Sequence, residues 1–249
     1  MAKQKQRLPE DDEDSIVLDF GLNIDIEEEL DIDIEFSDFD FYTRYQKPKA
    51  LKPIKQKFVK YSNAEKLARD LKIGAGERAN VIVNGKFEFG DFIEAFIIEN
   101  NAKVVDMTVS TLSYSQNNID SFGNLVYANR LDKLNIIVSH YFYAHNRGAL
   151  NYAYEELDTE NCDFQIAVAE IHTKSCIFET SGGKKFVLHG SANLRSSGSI
   201  EHFTIEENPE LYDFHKEFYD SIIENFQTIN KDQPRIKALR GNGINNLIK

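Results

Sequence analysis

The chain is poor in the features that mark secreted and membrane proteins. Its 249 residues include two cysteines, Cys162 and Cys176, too few for the disulfide framework of a small secreted domain. No apolar run approaches the roughly eighteen residues a membrane helix needs, so neither a membrane span nor a membrane partner is expected. The opening residues, MAKQKQRLPEDDED, lack the apolar segment of a secretory signal. A reducing, cytoplasmic compartment is the expectation. No internal repeat is visible. There is no Cys/His cluster at zinc spacing and no carboxylate constellation arranged for magnesium, so no metal and no other cofactor is expected. What is present, 41% apolar and 28% charged residues, is the composition of an ordinary globular protein.

Basic residues are missing from one stretch altogether. Residues 10–40 hold fifteen Asp and Glu and no Lys or Arg, which accounts for the whole of the net charge of −12 once Lys3, Lys5 and Arg7 are set against it. From Phe41 onward the charges balance. Within the acidic stretch apolar residues alternate with carboxylates, as in Asp31-Ile32-Asp33-Ile34-Glu35-Phe36, a strand pattern whose outward face repels itself. Residues 1–43 are therefore expected to form an acidic arm, disordered in isolation, that orders on a protein partner or on a basic surface of its own chain. Residues 44–61 carry seven basic residues, no acid, and Pro48 and Pro53, and are expected to be a basic linker.

A packed domain is expected over 62–227, followed by a basic tail, 228–249. Asn63 can cap a helix bearing Ala64, Leu67, Ala68 and Leu71 on one face. Strands are predicted at 79–83, 103–109, 134–138 and 164–171, helices around Phe92–Phe96, Ile119–Val126 and 148–157. Gly182-Gly183 suggests a hairpin joining strands at 175–179 and 185–188. A last amphipathic helix begins at Pro209 and places Leu211, Phe214, Phe218, Ile222 and Phe226 at helical spacing. Alternation of this kind predicts an α/β fold with a mostly parallel or mixed central sheet and helices on both faces.

The chemistry is concentrated in 172–201. His172-Thr173-Lys174 follows a predicted buried strand, which would direct the imidazole and the ammonium to one side. After the hairpin, Gly190-Ser191-Ala192-Asn193 offers a hydroxyl and an amide two positions apart. A nucleophile, a cation and neutral donors are what phosphoryl transfer requires.

These residues resemble the phospholipase D superfamily, whose signature is His-x-Lys, four residues, Asp, and then Gly-Ser-x-Asn. Glu179 stands where that family usually has Asp. Glu201 matches the acid that family members place after the motif. The resemblance implies a phospholipase D-like fold and a metal-independent phosphodiesterase, a hydrolase and in this short form an endonuclease. His172 would form a phosphohistidine and Glu201 would orient its ring. Lys174 and Asn193 would hold the non-bridging oxygens with support from Ser191, and Glu179 and Gly190 would support the motif. No second His-x-Lys occurs in the chain, so the resemblance also implies one site shared across a homodimer. Arg147, Lys184, Lys185 and Arg195 are candidate contacts to a nucleic-acid backbone, with DNA ahead of RNA. His140 and His145 are expected near the mouth of the site. An alternative is a catalytically weak nucleic-acid-binding or assembly protein of the same fold that docks through its acidic arm.

Overall fold

The computed structural model describes residues 55–61, 63–83, 87–195 and 199–226, the first of these through its backbone alone. The acidic arm, the first part of the linker and the basic tail lie outside the described residues. The elements in chain order are β1 (Lys55–Tyr61), α1 (Ala64–Asp70), β2 (Glu77–Val83), α2 (Phe89–Glu99), β3 (Val104–Thr111), α3 (Gln116–Tyr127), β4 (Lys133–Ser139), α4 (His140–His145), α5 (Arg147–Leu157), β5 (Asp163–Ala169), β6 (Ser175–Thr180), β7 (Lys185–Gly190), β8 (Glu201–Glu207) and α6 (Pro209–Phe226).

The eight strands form one sheet in the order β1-β2-β8-β7-β6-β3-β4-β5. It is mixed. The β1–β2, β3–β4 and β4–β5 pairs are parallel and the four pairs between β2 and β3 are antiparallel. Residues 55–61, read from sequence as linker, instead form edge strand β1 in register with β2.

Both faces of the sheet are covered, and the burial pattern of each strand follows from this. In β4, Ile136 and Val138 enter the larger core and Ile137 the smaller; in β6, Cys176 and Phe178 face one way and Ile177 the other; in β7, Phe186 and Leu188 oppose Val187. A strand buried on both faces reads as a continuous apolar run, which is why LNIIV was visible in the sequence. The larger core collects α1, α2, α3 and α5 around an aromatic array in which Phe92 and Phe203 lie 5.0 Å apart, as do Phe178 and Phe186. Each such ring removed from water contributes about 1.5–3 kcal/mol. At the start of α1, Asn63 Oδ1 accepts from the Lys66 amide at 2.7 Å, the cap expected from the sequence.

The smaller core is covered by α6, whose buried face differs from the expected one. Tyr212, Tyr219, Ile222, Ile223 and Phe226 are buried, whereas Phe214 is exposed. The helix is turned so that two tyrosines pack inward: Tyr219 Oη lies 2.6 Å from Ser175 Oγ, whereas the buried Tyr212 hydroxyl has no hydrogen-bond partner among the described residues. On the same side the fully buried Glu206 carboxylate accepts from Arg78 at 2.6 and 3.0 Å and from Asn208 at 3.1 Å. Burial alone would raise its pKa, but hydrogen bonds from His189, Arg78 and Asn208 hold it below the usual carboxylate range.

His215 of α6 stacks on Tyr219 at 5.6 Å. Burial, with the neighbouring His189, lowers its pKa to about 4, against a smaller upward pull from Glu206. The folded state thus binds fewer protons than the unfolded one between the ordinary histidine pKa of about 6.5 and about 4. Stability is full above that window and falls as pH drops through it. His215→Gln is expected to flatten the denaturation midpoint against pH over that range. An unchanged slope would show that the ring is not held neutral.

Candidate active site

Because β3, β4 and β5 are mutually parallel and β6 to β8 alternate in direction, six strand ends gather at one edge of the sheet. These are the carboxyl ends of β3, β4, β5 and β7 and the amino ends of β6 and β8. Ligands of open α/β sheets bind outside the carboxyl ends of parallel strands. His172-Thr173-Lys174 and Gly190-Ser191-Ala192-Asn193 both lie at this edge.

The first motif is not on a strand. β5 stops at Ala169, and the Ile171 amide bonds the Ala169 carbonyl at 3.0 Å, turning the chain out of the sheet. The loop is pinned at its central residue: Thr173 Oγ1 shares a short hydrogen bond with Ser110 Oγ, and the Tyr219 hydroxyl closes the group from α6. Thr173 and Tyr219 are positioning residues that sequence reasoning missed. The hydroxyl between His and Lys was the available signal.

The two motifs meet through the backbone. The Gly190 amide donates to the Lys174 carbonyl at 3.2 Å. A side chain at 190 is excluded, since a Cβ there would lie 2.2 Å from the His202 carbonyl oxygen and 2.6 Å from Phe203 Cα. Beyond Gly190 the chain crosses the end of β3. The Leu194 amide bonds Thr111 Oγ1 at 3.2 Å, and Asn193 Oδ1 accepts from the Leu112 amide at 3.3 Å. A backbone N–H can only donate, so this bond fixes which end of the Asn193 amide is oxygen and leaves its NH2 as the donor. Ser191 Oγ donates to Glu201 and accepts from the His202 amide at 3.0 Å. Among the described residues the His172 ring has no hydrogen-bond partner, so the Glu201–His172 pairing expected from sequence enters below as a proposal.

Most described cations of the domain are paired: Arg78 with Glu206, Lys103 with Asp132, Lys216 with Asp106 and Asp220. Lys174 and Arg195 are different. Among the described residues neither has a carboxylate partner, and the one polar contact of the Lys174 ammonium is the His172 carbonyl at 3.4 Å. One uncompensated cation shares the loop of the exposed His172 imidazole and the other shares its cavity wall, an arrangement that attracts an anion.

A cavity of about 830 Å3 opens at this edge, with His172 and Arg195 in its wall beside His140, His145 and Glu170. The two histidines belong to α4, a helix unanticipated from sequence. Other candidates are elsewhere. Lys184 and Lys185 lie at the opposite end of the β6–β7 hairpin, where Lys184 approaches Glu207 at 3.8 Å and Lys185 pairs with Asp213 at 2.7 Å. Glu179 is near that same end, roughly 16 Å along the chain from Lys174, where with Asp106 it helps burial raise the pKa of Tyr212. Arg147 is exposed at the start of α5, next to Asn146, which lines the cavity. Both cysteines are buried and free, with burial raising both thiols, that of Cys162 to about 12, so neither is poised as a nucleophile.

The sheet and its helix layers define an α/β fold, and its site is a loop-borne cluster of one imidazole and two cations. No family model and no curated protein matches the chain. Among similar solved structures is a phospholipase D family member, Nuc from Salmonella typhimurium, with 11% identity and a TM-score of 0.45, covering 62% of this chain and 100% of that one. A phosphatidylserine synthase from Haemophilus influenzae has 12% identity and a TM-score of 0.43 over 62% of this chain and 40% of its own. A polyphosphate kinase from Porphyromonas gingivalis has 8% identity and a TM-score of 0.43 over 67% and 30%. This chain therefore spans less than half the length of the last two. The likenesses are weak, and the chemistry rests on this chain's own residues. Among the described residues no helix is long and apolar enough to cross a membrane.

Proposed function

We propose that the protein is a phosphodiesterase acting without a metal ion, through a phosphohistidine, at a site shared by two copies of the chain, and that it cuts nucleic acid internally. The observation that carries this reading is the exposed His172, which shares a loop with Lys174 and a cavity wall with Arg195, neither cation having a carboxylate partner among the described residues; the Asn193 amide donor lies at the same edge of the sheet. One His172 attacks phosphorus with a ring nitrogen, forming a P–N bond as the P–O bond to the leaving group breaks. The same residue of the second subunit gives its proton to that oxygen, then takes one from the water that cleaves the P–N bond. Lys174 and Asn193 offset charge on the non-bridging oxygens. Glu201, held by Ser191, reaches the His172 ring when substrate and second subunit complete the site. DNA is placed ahead of RNA as substrate, and Arg147 and Arg195 are the backbone contacts retained from the sequence; Lys184 and Lys185, at the other end of the sheet, are not.

The Ser191–Glu201 hydrogen bond is the one observation favouring a second reading, a binding or assembly protein without turnover. The test is hydrolysis of bis(p-nitrophenyl) phosphate and of DNA by the full chain in excess chelator. Turnover supports the phosphodiesterase. DNA binding without cleavage of either compound supports the alternative.

A further inference from the structure

We infer that the cavity beside His172 holds an unpaired nucleobase, so that the substrate is single-stranded nucleic acid. This rests on the phosphodiesterase reading and adds to it the state of the strand. The cavity, at about 830 Å3, is of the size that accepts a nucleotide-sized ligand. Since His172 and Arg195 form part of its wall, a ligand filling it is continuous with a phosphate at the imidazole. Another part of the wall is α4, which contributes the aromatic residues Tyr141 and Phe142 and the ring of His145. The Tyr141 ring lies 4.3 Å from that of His145 with 31° between their planes. The pair is locked by the hydrogen bond between His145 Nδ1 and the Tyr141 carbonyl at 2.8 Å. Tyr141 nevertheless keeps 73% of its surface open. Beneath it Phe142 is buried edge-on against Tyr114 at 4.7 Å, which fixes the helix that carries the platform.

An exposed ring pair, with a cation in the wall of the same cavity, is the stacking device of single-strand binding sites. Every base offers a π-face, so such a platform selects for unpaired bases rather than for a sequence. In a duplex those faces are already stacked on their neighbours. Glu170, the one acid lining the cavity among the described residues, adds acceptors suited to an exocyclic amino group.

Two measurements on the full chain test this. The first is the affinity of His172→Ala protein for a fluorescein-labelled single-stranded oligonucleotide and for its duplex, with and without Tyr141→Ala. Loss of one stacked base weakens single-strand binding roughly 5- to 150-fold. The expected result is preference for the single strand, a loss in that range with Tyr141→Ala, and recovery with Tyr141→Phe or Tyr141→Trp. The second is KM with His172 intact: Tyr141→Ala raises KM for the single strand at least tenfold more than for bis(p-nitrophenyl) phosphate, which has no base. Equal affinity for duplex and single strand, or binding indifferent to Tyr141→Ala, overturns the inference whether or not the protein turns over. Absence of turnover with the binding pattern intact would instead overturn the phosphodiesterase reading.

Discussion

His172→Ala is expected to lower hydrolysis of bis(p-nitrophenyl) phosphate and of DNA by on the order of 10⁴-fold or more, with the fold intact. In a shared site this single substitution removes the nucleophile from one subunit and the proton donor from the other. Each of those roles contributes on the order of 10² to 10⁴-fold, and groups acting as a unit fail together. The ring is exposed, and among the described residues it makes no hydrogen bond, so its removal costs little stability. The midpoint of thermal unfolding should stay within about 2 °C of the parent. Steady-state rates and a melting curve on the same preparation check both halves. Retention of more than a tenth of the activity would remove His172 from the chemistry.

Gly190→Ala should produce the largest loss of stability available from one methyl group at this site. The obstructing atoms, the His202 carbonyl oxygen at 2.2 Å and Phe203 Cα at 2.6 Å, are backbone atoms of β8. No side-chain rotation relieves the clash, so β7 and β8 must separate. Separation also pulls the Gly190 amide from the Lys174 carbonyl and disturbs the Ser191–Glu201 contact. Forced backbone shifts in a packed sheet place the cost at about 3 kcal/mol or more, which for a chain of this size lowers the unfolding midpoint by about 6–12 °C. Chemical denaturation of the two proteins checks it, and a difference under about 1 kcal/mol would mean that the sheet edge is far softer than the packing implies. The glycine of this motif is thus explained by strand proximity, with no appeal to a positive φ.

The parts of the fold legible in the sequence were those where burial writes a simple pattern. LNIIV in β4 and the FQIAVA of β5 are apolar but for Asn135 and Gln165 because both faces are covered, and Asn63 announces a helix start by its chemistry. β8 was invisible because EHFTIEE buries only Phe203, Ile205 and the paired Glu206, so four of its seven residues read as surface. β1, KQKFVKY, was hidden by its lysines, and α4 is a single turn and a half with one buried residue, Phe142. The motif residues were legible as types, but not their setting. Whether His172 sat on a strand depended on Ser110 and Tyr219, residues 62 and 47 positions away in sequence, which capture Thr173. The misplaced lysines of the hairpin show the same limit, since sequence proximity to a motif says little about which end of a strand a residue occupies.

The central claim, a phosphohistidine formed once per pair of chains, is tested most directly by rapid-quench kinetics in chelator followed by peptide mass spectrometry. The prediction is a burst of one p-nitrophenol per two chains and a single phosphoryl adduct on His172. Turnover without an adduct, or an adduct on any other residue, would contradict it.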